Sequence, residues 1–147
     1  MHANVRVGVY LMLFRNNRKE LLLLLRQNTG YADGTWSMVA GHVEHGEAAT
    51  SALIREAYEE AGITIVPSDL KVLYILYRRD ACLNQGAFEV FIGCERWMGE
   101  IRNKEPHKCG GLKFFPCHSL PSQMPKHLCK VITAVYRQEG YYGEYGF

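Results

Sequence analysis

Residues 41–63 read GHVEHGEAATSALIREAYEEAGI and set three carboxylates, Glu56, Glu59 and Glu60, within five positions. The spacing of apolar residues predicts a helix over 47–61, with Gly62 placed where a left-handed residue ends a helix. Stepping about 100° per residue from Glu56 puts Glu59 near −60° and Glu60 near +40°. By the same count Thr50, Leu53, Ile54, Ala57 and Ala61 form the core-facing stripe, while Ala49 and Ala52 share the arc of the acids. The acids therefore flank the buried stripe instead of opposing it. Like charges three and four apart on a helix repel by roughly a few tenths of a kcal/mol. Glu59 and Glu60 also meet the negative end of the helix dipole, which disfavours anions by about 0.3–1 kcal/mol. A hard divalent cation, Mg²⁺ or Mn²⁺, reverses that sign, because it takes carboxylate oxygens and shares its other positions with water and phosphate. Arg55 offers a second compensation by orienting a glutamate. Spacing alone leaves two readings open, a cation site and a solvated, arginine-paired helix face.

Ahead of the helix, Ala40, Gly41 and Gly46 supply flexible backbone where free N–H groups can meet an anion. Glu47 falls in the predicted first turn, favoured there by the dipole. Further upstream, Val5, Val7, Val9, Leu11 and Leu13 alternate with Arg6, Gly8, Tyr10 and Met12, the pattern of a strand with one face inward. The turn at 16–19 leads to Leu21–Arg26, a strand buried on both faces, so these two strands form a hairpin. Residues 28–35 are a loop and 36–40 a short extended piece. Downstream, Leu70–Arg79 and Phe88–Arg96 read as paired strands joined at Asn84-Gln85-Gly86, and Leu112–Phe115 as a short strand. Leu128, Val131, Ile132 and Val135 carry the period of an amphipathic helix over 126–138. The tail GYYGEYGF has no assignable element. With no repeat and no linker, the chain reads as one domain over 1–147, of α/β (α+β) class, with a mixed sheet and two main helices.

The 147 residues suffice for a real core, and 48% apolar with 22% charged residues describes a globular chain. A net charge of +2 argues for neither a nucleic-acid nor a membrane partner. The apolar run Leu21–Leu25 is far shorter than the roughly 20 residues that span a bilayer. The N-terminal tract alternates too much for a secretory signal, so a cytoplasmic protein is expected. Five cysteines, Cys82, Cys94, Cys109, Cys117 and Cys129, are widely spaced without a C-x-x-C pair, which favours reduced, mostly buried thiols over a zinc site.

Taken together, Gly41, Glu47, Arg55, Glu56, Ala57, Glu59, Glu60, Gly62 and Ile63 fill the spacing G-x5-E-x7-R-E-U-x-E-E-x-G-U, where U is a bulky or aliphatic residue. This resembles the signature box of the Nudix hydrolases; Ala57, small at the first U position, is its one departure. The hairpin before the box, the strands after it and the closing helix suit the Nudix α/β/α sandwich, although only the box is specific.

The resemblance implies hydrolysis of a phosphoanhydride in a nucleoside diphosphate linked to another group, with Mg²⁺ or Mn²⁺ as cofactor. It implies Glu56, Glu59 and Glu60 as metal ligands, with the Gly41 carbonyl joining them. Arg55 then holds a glutamate in place, and Glu47 is structural or an outer ligand. Glu59 is the first candidate for the general base, with Glu105 in the loop NKEPHKC as an outside candidate or simply an exposed loop acid. Arg26, fifteen residues before Gly41, sits where MutT-type enzymes carry a phosphate-contacting arginine; otherwise it caps a hairpin strand. His42, His45 and Glu44 are weaker candidates, and solvent-facing loop positions suit them equally. Trp36, Tyr74, Tyr77, Phe88, Phe91 and Trp97 are candidates to stack a base or to fill the core.

Arg78 and Arg79 stand where ADP-ribose hydrolases carry a proline, and Tyr77 comes too early for the tyrosine of diadenosine polyphosphate hydrolases. A MutT-like (d)NTP pyrophosphohydrolase remains, releasing nucleoside monophosphate and pyrophosphate. Dinucleoside polyphosphates, nucleotide sugars and RNA 5′ ends are alternative substrates. A Nudix domain that only senses a nucleotide is the alternative of another class. The expected partner is a small nucleotide, with no DNA and no membrane; a homodimer is compatible with the resemblance, and no residue specifies one.

Overall fold

From Gly8 to Phe14 the first strand alternates between two separate cores, which places it at the centre of the molecule. A computed structural model describes residues 1–80 and 84–147. In β1 (Val5–Arg15), Val9, Leu11 and Leu13 point into one buried cluster, and Met12 and Phe14 into the other. The expected one-faced strand is thus corrected: β1 is covered on both sides over its C-terminal half, whereas Val5 and Val7 at its start are exposed. Helix α1 (Ala49–Ala61) supplies Ala52, Leu53, Ala57 and Ala61 to the first cluster. Helix α2 (Lys126–Tyr136) supplies Leu128, Val131 and Ile132 to the second, so the two helices cover opposite faces.

Among the described residues the sheet is mixed and eight-stranded. β1 and β2 (Glu20–Arg26) pair as a hairpin at Phe14–Leu21 and Arg15–Glu20. They then take different partners. β1 runs parallel to β6 (Gln85–Cys94) and antiparallel to the short β4 (Ala40–His42). β2 pairs with β3 (Trp36–Ser37) and β7 (Cys109–Pro116). β5 (Leu70–Asp80) lies antiparallel to β6. The unassigned tail contributes β8 (Tyr142–Tyr145), parallel to the outer edge of β5.

Two further expectations are corrected at α1. The helix begins at Ala49, not at 47, because Glu44–Glu47 closes a turn with Gly46 at φ +77° and Glu47 N–H donating to the Glu44 carbonyl at 3.0 Å. Thr50 is exposed instead of core-facing, since it lies in the opening turn, where polar groups are best left wet. Ala52 is buried in its place. At the other end Gly62 closes the helix with φ +70°, as its spacing predicts. Cys94, Cys109 and Cys117 are buried free thiols and Cys129 is half-buried; Cys82 lies outside the described residues.

Candidate active site

Burial of Leu53, Ala57 and Ala61 fixes the rotation of α1, and that rotation sets the depth of each acid. Glu56 is turned inward, with 13% of its side chain exposed, whereas Glu59 is 49% exposed. β4 runs close beside the helix. A Cβ at position 41 would run into the Glu56 carboxylate, so only glycine lets this backbone lie so near. One residue earlier, Ala40 N–H donates to Glu60 Oε2 at 3.3 Å.

Arg55 ties the cluster together. Its Nε and Nη2 donate to the two oxygens of Glu47 at 2.9 and 3.1 Å, and Nη1 to Glu56 Oε1 at 2.8 Å and Glu59 Oε2 at 3.4 Å. Nη2 also reaches the His42 carbonyl, and Glu44 lies 3.9 Å away. Glu47 is thus an anchor for Arg55 placed ahead of the helix, and the arginine holds its carboxyl below the ordinary range. Glu56 is pushed up by burial, with Arg55 opposing. Glu60 is pushed up to about 8, first by burial and then by the charge of Glu56. Two neighbouring acids are therefore held in surroundings that disfavour their own ionisation, as a site awaiting positive charge would hold them.

Glu56, Glu59, Glu60, Glu105, Lys108 and Arg26 line one cavity of about 450 Å³. The loop acid Glu105 thus joins the three helix acids, while Arg26 and Lys108 bring cations to the same cavity. The arginine is steadied by its own loop, Nε donating to the Tyr31 carbonyl at 2.9 Å and Nη2 to Thr29 Oγ1 at 3.1 Å. Among the described residues no three acid, histidine or cysteine side chains converge into a ready metal cage. Arg55 instead draws Glu56 and Glu59 toward itself. The donor set nevertheless fits a hard cation: all carboxylate, with Glu60 half-buried and Glu56 given room by Gly41.

The family model for the NUDIX domain matches residues 4–135. The chain belongs to the Nudix family. As a Nudix hydrolase it acts on pyrophosphate bonds. No curated protein sequence matches it. Among solved structures, a MutT NUDIX hydrolase from Burkholderia pseudomallei is 24% identical with a TM-score of 0.79, the match covering 88% of this chain and 97% of that one. The MutT protein from Methanosarcina mazei Go1 is 18% identical with a TM-score of 0.78, over 94% and 97% of the two chains. A UDP-X diphosphatase is also 18% identical, with a TM-score of 0.67 over 99% of this chain and 69% of that one. At these identities the likeness is one of fold.

A second cavity of about 530 Å³ adjoins the acids through Arg26 and the β4 segment, both of which line it. Tyr10, Tyr31, Arg6, Arg78, Asp80 and Glu89 give it its chemistry. The aromatic side chains proposed from strand spacing are elsewhere. Phe91 is fully buried, Tyr77 stacks on Phe88 at 4.6 Å, and Trp36 and Trp97 pack on Phe115 and Phe114. His42 lines this second cavity, and burial lowers its pKa. The missed residues carried one signal: Glu89 is the only charge in the run Ala87–Cys94, and Arg78 directly follows the uncharged run Val72–Tyr77 of the partner strand.

Proposed function

We propose that this Nudix hydrolase is a Mg²⁺- or Mn²⁺-dependent pyrophosphohydrolase of nucleoside diphosphate-X compounds, with (d)NTPs as first substrates and nucleoside monophosphate and pyrophosphate as products. One observation carries this: the three helix acids, two of them pushed toward protonation, line the same cavity as Arg26 and Lys108. That cavity offers carboxylates to a cation and cations to the polyphosphate.

Glu56, Glu59 and Glu60, with the Gly41 carbonyl, would hold the cation. When bound, it neutralises pyrophosphate oxygens and lowers the pKa of a water. Arg26 and Lys108 bind phosphate oxygens and hold the chain of phosphates in place. Glu59, the most exposed of the three, takes the proton from the attacking water, and Glu105 is the second candidate for that task. Arg55 positions Glu56 and Glu59. The enzyme is a single domain over 1–147 working in the cytoplasm on small nucleotides; no described helix is long and apolar enough to cross a membrane.

The test is a panel of (d)NTPs, dinucleoside polyphosphates, nucleotide sugars and 5′-triphosphate RNA, with each metal supplied separately and phosphate and pyrophosphate measured. Pyrophosphate release from (d)NTPs supports the assignment. Glu59→Gln is expected to lower kcat by about 10²–10⁴-fold with the fold intact; unchanged turnover would falsify the role given to Glu59.

A further inference from the structure

Two buried polar atoms lack a hydrogen-bond partner among the described residues, Arg6 Nε and Glu89 Oε2, and both residues line the second cavity. The Glu89 side chain is 4% exposed. Its other oxygen is crowded: Oε1 accepts Tyr10 OH at 3.2 Å, Arg78 Nε at 3.1 Å and Arg78 Nη2 at 2.8 Å. Arg78 is itself braced by Asp80 at 3.8 Å, and Arg6 Nη2 lies 4.0 Å from the same Asp80 oxygen. The network thus fixes the Glu89 carboxylate by one oxygen and leaves the other bare in a buried place. Leaving such an atom unpaired costs the desolvation of that oxygen with no hydrogen bond in return. An ionised carboxylate can only accept, so Oε2 requires an N–H or O–H, whereas Arg6 Nε requires an acceptor.

The ligand that answers both demands carries a donor and an acceptor on one edge. The walls favour a flat one, since Tyr10 and the half-exposed Tyr31 supply aromatic surface. The cavity is of ligand size. It meets the acidic site at Arg26 and β4, so a molecule with its phosphates beside Arg26 has its other end here. We infer that Glu89 is the residue that reads the nucleobase: Oε2 accepts an N–H from the base edge while Arg6 Nε donates to an acceptor on the same base. This rests on the nucleotide substrate class given under Proposed function.

Glu89→Gln makes a sharp test. Arg78 presents two donors to Oε1, so the glutamine must turn its carbonyl there and its NH₂ into the place of Oε2, changing an acceptor into a donor. Wild type and variant are assayed with the best nucleoside triphosphate and with methyl triphosphate, which keeps the phosphates and lacks the base. The ratio of the two kcat/KM values is expected to fall about 10- to 100-fold in E89Q. Arg6→Met, at a side chain about one-third exposed, is expected to lower the same ratio severalfold and carries the test if E89Q does not fold. A ratio that holds in both folded variants overturns the inference. If the wild type cleaves no nucleotide, the proposed function fails, and Glu89 is then decided by calorimetric binding of free nucleosides and of ribose. Nucleoside binding that E89Q weakens supports the assignment; no nucleoside binding, equal affinity in E89Q, or ribose binding as tightly as nucleosides overturns it.

Discussion

Arg55 donates hydrogen bonds to three carboxylates, two of them within the helix that carries it and one, Glu47, ahead of it. A guanidinium can do this because its five N–H groups lie in one rigid fork; an ammonium cannot hold the same set of angles. Arg55→Lys is therefore expected to lower kcat about 10- to 100-fold and to raise the metal concentration needed for half-maximal rate. The melting temperature and the KM for nucleotide should change little. A kinetic metal titration of the variant checks this, and a normal metal requirement would remove the positioning role. At Gly41 the constraint is steric. Gly41→Ala drives a methyl into the Glu56 carboxylate, so a loss of about 1–3 kcal/mol is expected from overpacking, read by urea denaturation, together with weaker metal binding.

At the scale of elements, α1 does its work only if it stops on time. Gly62 stands at φ +70°, and its amide donates to the Tyr58 carbonyl at 3.0 Å, closing the last turn. An added Cβ would meet side-chain atoms at ordinary contact distance, Lys104 at 3.4 Å and Arg102 at 3.9 Å, so the penalty of Gly62→Ala comes from the left-handed backbone. About 1 kcal/mol of stability should be lost, measured by chemical denaturation, with the metal requirement unchanged. The tail behaves as an element only in company. β8 covers the outer edge of β5, Tyr145 packs against the second core, and the Phe147 ring lies 5.0 Å from that of Tyr77. Removing residues 140–147 is expected to lower the melting temperature by several degrees and to promote association through the opened edge, detectable by light scattering.

At the scale of the molecule, the acidic site couples stability to pH. The folded-state pKa of Glu60, about 8, lies above its ordinary 4.5, so folding favours the protonated acid. That stabilisation is complete below pH 4.5 and is lost as pH rises through 8. Glu56 is shifted in the same direction. Glu47 is shifted the other way, so its contribution is present above the ordinary glutamate pKa and is lost only on acidification. In chelator, the melting temperature is expected to fall between about pH 5 and about pH 9, and to fall less in Glu60→Gln. Adding Mn²⁺ should restore stability at the alkaline end, where the acids are ionised and free to bind it. A melting temperature independent of pH in chelator would contradict this coupling.

The 41–63 stretch by itself determined the helix, its glycine stop, the acid cluster and the family, because all of these rest on local spacing: 3.6 residues per turn and one position that needs positive φ. Strand patterning likewise marked the hairpin, β5 and β6, and helical periodicity marked α2, to within a few residues. Other features needed the folded chain. The fork of β1 and β2 into different partners, the two-sided burial of β1 and the edge strand made by the tail depend on pairings between residues far apart in the chain. The same holds for Glu47, which looks like a helix-starting acid until Arg55 is folded back onto it. It holds most for Glu89, an isolated acid in an apolar strand, whose two oxygens differ only because Arg78 and Tyr10, from two neighbouring strands, both fall on one of them.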